Sequence, residues 1–236
     1  MDSKDRIKIK NKTRNSIGIS IVGFILTTMA GWIDTIGVNL FLNQKSAYMT
    51  GQGHILGYWA YKLEFRIFMG IVLIIIAFIT GACISTIIAK KTELIGSLFF
   101  VGILIIMASL PFTLQHPALC IIFLSMAMGC QNAATSLTEI RRTTHLTGPS
   151  TDIGISIAKG NWKMVRFWSY RWIGFPLGSF IGFNLMNLVN NNIVSKSVTL
   201  IIPAIIIILT GIIQNNYLDI PILAEQLQEN IKKETI

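Results

Sequence analysis

The chain has 236 residues, of which 52% are hydrophobic and only 13% are charged. This composition is too apolar and too poor in charge for an ordinary soluble domain and is typical of an integral membrane protein. The net charge of +9 comes from basic residues in the first fourteen positions and at the ends of apolar stretches. Such a distribution indicates orientation in a membrane and argues against a nucleic-acid partner.

The apolar stretches have the length of membrane spans. Uncharged runs of 23, 45, 24 and 22 residues follow Arg66, Glu93, Arg171 and Lys196, and a helix needs about 20 residues to cross a hydrocarbon core of about 30 Å. Hydropathy therefore predicts an all-α integral membrane protein with six transmembrane helices, at 16–42, 66–89, 94–112, 118–138, 167–190 and 197–215. The first run lacks a small-residue cleavage site, which predicts a retained helix.

Two shorter segments, 48–61 and 145–158, remain between the predicted spans. Both are too short and too rich in glycine and polar residues to cross a membrane alone, so we expect half-helices or re-entrant segments. Each contains Thr-Gly followed by five residues and another glycine, beginning at Thr50-Gly51 and at Thr147-Gly148. The two copies are separated by 97 positions.

The same offset recurs along the chain and indicates an internal duplication. It pairs Gly81 with Gly178, and with one residue of slippage it places Asp34 opposite Asn132. The membrane domain, 16–215, is therefore predicted to contain two repeats, at about 16–114 and 115–215. Residues 1–15 and 216–236 are expected to be cytoplasmic tails. Glycines spaced by four, at Gly174, Gly178 and Gly182, predict close helix packing.

The direction of the second repeat depends on the half-helices. If they turn back, each repeat crosses three times and the second is inverted; if they cross, each repeat crosses four times and the two are parallel. The inverted arrangement places eight basic loop residues inside and four outside, whereas the parallel one places six on each side. The positive-inside rule favours the inverted repeat in a cell membrane, with both termini cytoplasmic.

Several short motifs resemble those of a known family. They are GWID at the end of the first predicted span, YMTG and HLTG at the half-helices, GACIS in the second span and MGCQNA before the second half-helix. Over about Gly31 to Gly182 the chain resembles the YoaK-like family of bacterial integral membrane proteins, a domain of unknown function. The resemblance implies a six-span membrane protein of the cell membrane and implies no activity.

The two Thr-Gly elements are the main candidates for a binding site. As N-cap and first-turn residues, Thr50, Gly51, Thr147 and Gly148 would present two positive helix ends to an anionic or polar solute. The alternative is that they cap short, closely packed helices. His54 and Asp152 lie one turn further on, and each is a candidate for gating or proton transfer. The alternative for His54 is that it is only hydrogen-bonded, as a lone histidine among polar neighbours more often is.

Two more candidates lie in the spans. Asp34 is the carboxylate of the first span, and either a hydrogen-bonded helix-end residue or a cation or proton site fits its depth near the outer interface. Its counterpart Asn132 is uncharged, so the repeats are not chemically equivalent.

The most plausible activity is that of a small secondary transporter or channel-like permease for a small polar or anionic solute. A membrane scaffold or sensor without transport activity is the alternative, and a homo-oligomer is compatible with either. The chain contains no catalytic motif and no metal-ligand spacing, so we expect neither an enzyme nor a cofactor. The expected partners are the lipid bilayer and an unidentified small solute.

Overall fold

The computed structural model describes residues 3–40, 46–218 and 220, and these ranges contain eight α-helices and no β-strand. The helices are α1 (Ser3–Leu40), α2 (Met49–Tyr61), α3 (Phe65–Ser109), α4 (Pro111–Gln115), α5 (Pro117–Ser136), α6 (Thr147–Ala158), α7 (Trp162–Asn190) and α8 (Lys196–Tyr217). Five of them, α1, α3, α5, α7 and α8, are long and apolar enough to cross a membrane. The all-α class is therefore confirmed, and the five long apolar helices agree with a membrane protein, while most of the predicted tail at 216–236 lies outside the described residues.

The main difference from the hydropathy prediction lies at the start of the chain. Helix α1 begins at Ser3 and includes part of the segment that was expected to be a tail. The second and third predicted spans both fall within α3, whose 45 residues are interrupted at Glu93. By contrast, α5 begins at Pro117, because proline is well suited to the first turn of a helix, where its missing N–H is not needed.

Helix α3 folds back on itself at Glu93. This residue has a left-handed φ of 56° and a ψ of −155°, which interrupts the helical backbone. The Ser97 hydroxyl donates a hydrogen bond to the carbonyl of Ser85 at 3.1 Å, although the two residues are 12 positions apart. In a straight helix they would be separated by about 18 Å. Residues 65–92 and 94–109 are consequently two antiparallel arms, α3a and α3b.

Glycines bring α1 against α7 and α3a against α5 through matching contacts. A Cβ at Gly31 would collide with the carbonyl of Phe175, and a Cβ at Gly129 would collide with the carbonyl of Phe78. Phe78 and Phe175 are 97 positions apart, and Gly31 and Gly129 are 98 apart. The two interfaces therefore repeat one another at the offset found in the sequence.

A second pair of glycines repeats the same relationship. A Cβ at Gly81 would collide with the carbonyl of Met126, and one at Gly178 would collide with that of Thr28. The predicted close packing of the α7 glycines is confirmed, since Gly182 likewise packs against Thr35 of α1. Small residues at such crossings let two backbones approach closely, which is the usual way helices associate in lipid.

Contacts along the helices also establish their relative directions. Along α1, Gly18 packs near Leu218 and the Trp32 indole donates to the carbonyl of Thr199, so α1 and α8 are antiparallel. Helix α8 is also antiparallel to α3b, because Gly102 packs on Ile208 and Gly211 packs on Leu98. Helices α1 and α3b therefore run in the same direction, opposite to α3a.

The core is apolar, and the outer surface is apolar as well. Leu26, Ile33, Leu98, Leu124 and Met128 are among the fully buried side chains. Large apolar side chains are exposed along the outer faces of the long helices: Ile76, Ile79, Phe180, Phe183 and Leu209. Exposed apolar surface of this extent matches a lipid environment rather than water. Asp34 and Arg171 are the only charged side chains buried among those that the structure describes.

Candidate functional site

The connector between α5 and α6, residues 137–146, is partly buried and is held by side chains of α5 and α7. Thr138, Ile140, Thr143 and Thr144 are buried, whereas Arg141 and Arg142 are exposed. Buried irregular backbone inside a membrane protein persists only where protein groups satisfy it. The contacts that do so define the site.

Gln131, a fully buried residue near the end of α5, holds the connector through its side-chain amide. Its side-chain amide donates to the Leu26 carbonyl of α1 at 3.0 Å and to the Thr143 hydroxyl at 3.1 Å. The hydroxyls of Thr135 and Thr143 are themselves 3.2 Å apart. The Gln131 side-chain oxygen is buried and has no hydrogen-bond partner.

Arg171 anchors the connector from α7. Its Nε and one terminal nitrogen both donate to the Ile140 carbonyl, at 3.1 and 2.8 Å. Arg141, which follows Ile140 in the chain, has a left-handed φ of 63°. This conformation is unfavourable for a non-glycine residue and therefore needs support from its surroundings. The anchored carbonyl supplies that support.

A cavity of about 380 Å³ lies between the connector, the start of α6 and α7. The residues that line it are Ser136, Arg141, Arg142, Gly148, Pro149, Asp152 and Trp168. Its volume falls in the range of small-molecule sites, roughly 300–1,000 Å³. Two guanidinium groups, one carboxylate and one indole thus surround a single space.

The electrostatics of this cavity favour an anion. Arg141 lies over the Trp168 ring at 5.6 Å, and neither Arg141, Arg142 nor Asp152 forms an ion pair with any residue in the described ranges. The cavity also borders the first turn of α6, at Gly148, where backbone N–H groups have no acceptor within the helix and carry partial positive charge. Two guanidinium groups that form no ion pair within the described part of the chain therefore add their charge to the partial positive charge of the helix end.

His145, in the same connector, is affected by this positive charge. Burial lowers the pKa of its imidazole below the usual 6.5, and the charge of Arg142 lowers it further. The ring is therefore neutral at pH 7. Its Nε2 lies 3.7 Å from the position that a Cβ on Gly148 would occupy.

The first half contains a related arrangement at the offset of 97. The Asp34 carboxylate accepts hydrogen bonds from the Ser46 hydroxyl at 3.1 Å and from the Ala47 N–H at 3.0 Å. The sequence comparison paired Asp34 with Asn132, but the contacts pair it with Gln131, because Gln131 bonds Thr143 as Asp34 bonds Ser46. The two pairings differ by one residue, because Asn132 lies 98 positions after Asp34 and Gln131 lies 97 positions after it.

The predicted capping role of the two threonines is wrong. Helix α2 begins at Met49 and α6 begins at Thr147, so the N-cap residues are Tyr48 and Leu146, and neither makes a side-chain cap. Thr50 is already inside the first turn of α2. A Cβ on Gly51 would collide with the Tyr48 ring, so that glycine accommodates an aromatic side chain.

The structure does not bring the two predicted half-sites together. Helix α2 contacts α3, helix α6 contacts α7, and the two short helices do not contact one another. Thr50, His54 and Thr147 are exposed, whereas Gly148 and Asp152 line the cavity. The Asn132 side-chain oxygen is buried without a hydrogen-bond partner, and Asp34 lies in the first half.

Sequence reasoning missed most of the cavity residues, and it missed Arg171, which contacts the connector. Arg171 was not among the predicted site residues, yet it lies in α7, nine residues after Trp162, and is 0% exposed. Its position inside a predicted span, at 167–190, was the available signal, because an intramembrane charge is functional by default. Within the described part of the chain, no cluster of three or more His, Cys, Asp or Glu side chains suits a metal ion.

A family model described as protein of unknown function, DUF1275, matches residues 22–213. The chain belongs to this family. The match covers both halves and the whole cavity, and it agrees with the YoaK-like resemblance expected from the sequence motifs. No curated protein and no solved structure gives a significant match.

Proposed function

We propose that this family member is a cell-membrane permease for a small anionic solute, with the cavity at the α5–α6 connector as its cytoplasmic binding site. The observation that carries the proposal is the meeting of Arg141, Arg142 and the start of α6 around one cavity, where neither arginine forms an ion pair with a residue that the structure describes. Guanidinium groups bind carboxylates and phosphates through two parallel hydrogen bonds, and helix N-termini bind the same groups.

Asp152 and Trp168 restrict the class of solute that fits the cavity. A carboxylate in an otherwise positive cavity repels highly charged anions and accepts a hydrogen bond from a donor group on the solute. The Trp168 indole adds an apolar wall. A small organic anion that carries a hydroxyl or amino group satisfies all three features, and inorganic phosphate serves as the minimal probe of the positive end.

The proposed topology is an inverted repeat of three crossings each, six in all, with both termini cytoplasmic. The shared direction of α1 and α3b supports it, because a half-helix that crossed the membrane would make α3b antiparallel to α1. The reciprocal contacts of Gly31 with Phe175 and of Gly129 with Phe78 support a two-fold relationship between the halves. In this arrangement α2 lies on the outside and the cavity opens inside.

A membrane sensor without transport activity is a second candidate. It is favoured by the separation of α2 from α6 and by the close glycine crossings between the halves, since neither feature provides a polar pathway in this conformation. A sensor would bind the anion in the same cavity and would not move it. Binding and transport must therefore be measured separately.

The test is to measure anion binding and anion uptake on the same purified full-length protein. Isothermal titration in detergent with inorganic phosphate, acetate and lactate would compare an inorganic anion, a simple carboxylate and a carboxylate that carries a hydroxyl group, and proteoliposome uptake would use the tightest binder. The double variant Arg141→Gln/Arg142→Gln should bind at least about tenfold more weakly, because each charged hydrogen bond contributes about 1.5–3 kcal/mol.

Lys163→Gln/Arg166→Gln is the matched control. Lys163 and Arg166 are exposed basic residues of α7 that do not line the cavity, so their joint removal also lowers the net charge by two and should leave affinity within about twofold. Binding that depends on Arg141 and Arg142 without uptake would support the sensor. Equal losses in the control and the double variant, or no binding of any probe, would contradict a specific anion site.

A further inference from the structure

Arg171 is a buried cation without an acidic partner among the residues that the structure describes. It is 0% exposed, and its side chain makes no ion pair there. Burying an ionised group in a membrane interior is costly unless other polar groups compensate it. A residue retained at such a cost, one helical turn from the cavity residue Trp168, requires an explanation that apolar packing does not provide.

Two backbone carbonyls and one aromatic ring provide the compensation. The guanidinium donates twice to the Ile140 carbonyl and once to the Phe167 carbonyl, the last at 2.8 Å. Its central carbon lies 3.6 Å from the centroid of the Phe167 ring, a favourable cation–π distance. Only the bonds to Ile140 leave α7, so the interaction specifically links α7 to the connector.

Gly23 of α1 makes room for this interaction. A Cβ at position 23 would collide with a terminal nitrogen of Arg171, so the guanidinium occupies the space that any larger residue would fill. The first helix of the chain thus forms one wall of the Arg171 pocket, while the connector forms another.

The first half contains no counterpart of this arginine. The residue 97 positions earlier is Ile74, and the residue 98 positions after Gly23 is Ile121; both are buried apolar side chains. The corresponding positions of the other interface are therefore apolar. The arginine belongs to the second repeat, which contains the cavity, and the glycine that makes room for it belongs to α1 of the first repeat.

We infer that Arg171 is a positioning residue of the anion site: by holding the Ile140 carbonyl, it fixes the connector so that Arg141 and Arg142 face the cavity. The carbonyl that Arg171 binds belongs to Ile140, one residue before Arg141, and the left-handed backbone of Arg141 turns the chain. Releasing the carbonyl frees that turn and disperses the two guanidinium groups. The inference deepens the proposed function and depends on it for its ligand.

Two substitutions test it without changing any residue that lines the cavity. Gly23→Ala displaces the Arg171 guanidinium from a different helix, and Arg171→Lys keeps the charge but cannot donate to one oxygen from two nitrogens. Each should weaken inorganic phosphate binding about five- to twentyfold. Each should also speed amide hydrogen exchange of residues 141–146 at least about tenfold, whether or not phosphate is present.

The controls separate positioning from general destabilisation. Gly18→Ala places a methyl on the same helix against the flexible side chain of Leu218 and should change neither measurement. In the Arg141→Gln/Arg142→Gln background, Arg171→Lys should cause no further loss of affinity, because residues that act as a unit are not additive. Additive losses would overturn the positioning role.

Unchanged exchange in both variants would also overturn the inference, as would faster exchange with unchanged phosphate affinity. If the unsubstituted protein bound no anion at all, the proposed function would fail by that measurement alone, and with it the claim that Arg171 serves an anion site. The exchange experiment would still decide whether Arg171 holds the connector.

Discussion

Asp34 and Gln131, 97 positions apart, each bond the side chain of the residue twelve positions further along the chain. Asp34 accepts from Ser46 and Gln131 donates to Thr143, both at 3.1 Å. The two halves thus use one backbone arrangement with opposite hydrogen-bonding roles. The Asp34 carboxylate lies in the first half, whereas the Gln131 amide lies in the second half, which also contains the cavity.

The first prediction concerns exchange of these roles. Gln131→Glu would bury a carboxylate against the Leu26 carbonyl, which Gln131 now satisfies as a donor. We expect a loss of about 2–4 kcal/mol in the free energy of unfolding, because the repelled charge has no compensating group. Denaturation in detergent, followed by intrinsic fluorescence, measures it.

Asp34→Asn and Gln115→Glu provide the comparison. The first keeps an oxygen that can accept from Ala47 and should cost about 1–2 kcal/mol. The second adds a carboxylate at an exposed residue and should change stability by less than about 0.5 kcal/mol. A Gln131→Glu variant as stable as Gln115→Glu would mean that water or a cation reaches Gln131.

The second prediction concerns the reciprocal glycine crossings. Gly31→Ala and Gly129→Ala each place a methyl against a backbone carbonyl that cannot move cheaply. Both should destabilise the protein, by about 1–3 kcal/mol or more, and by similar amounts because the two contacts repeat one another.

Gly57→Ala is the matched control for these crossings. No atom lies within 4 Å of the position of a Cβ there, and alanine is the better helix former by about 0.5–1 kcal/mol. We expect unchanged or slightly higher stability. Similar Tm values for all three variants would contradict the described interfaces.

The third prediction is a pH dependence that resides in His145. Its pKa is lowered in the folded protein by burial and then by Arg142, so the unfolded chain binds the proton more readily. Stability due to this residue is therefore fully present above about pH 6.5 and is lost as the pH falls through the lowered folded value.

Unfolding midpoints at pH 7.5 and 5.5 test this dependence. His145→Gln should reduce the acid-induced fall in Tm, whereas His54→Gln, at an exposed position, should leave that fall unchanged. If both variants retained the full fall, the acid sensitivity would originate elsewhere in the chain.

The fourth prediction concerns topology. Gln115 and Lys159 are exposed in segments that join long helices, and the inverted repeat places them on opposite sides of the membrane. In a Cys83→Ala background, a membrane-impermeant maleimide applied to intact cells should label Gln115→Cys and not Lys159→Cys. Cys120 and Cys130 are buried and should not react. Labelling of Gln115→Cys only after permeabilisation would reject the inverted arrangement.

Much of the fold was predictable because its signals are local. Span positions follow from uncharged runs, and the contacts of Gly178 and Gly182 follow from their spacing on one helix face. The hairpin at Glu93 was also indicated, since the predicted spans at 66–89 and 94–112 were separate. The predicted caps at Thr50 and Thr147 failed because helix starts are accurate only to one or two residues without the coordinates.

The sequence by itself determined the all-α class, the approximate positions of the long apolar helices and the offset of 97, since hydropathy and residue spacing depend only on the chain. The tertiary structure decided which residues form the site. The distance between Arg171 and Ile140 depends on how α7 crosses the connector, and the room for Arg171 depends on Gly23, almost 150 positions earlier. The separation of α2 from α6 was decided in the same way, because each short helix packs on the long helix that follows it.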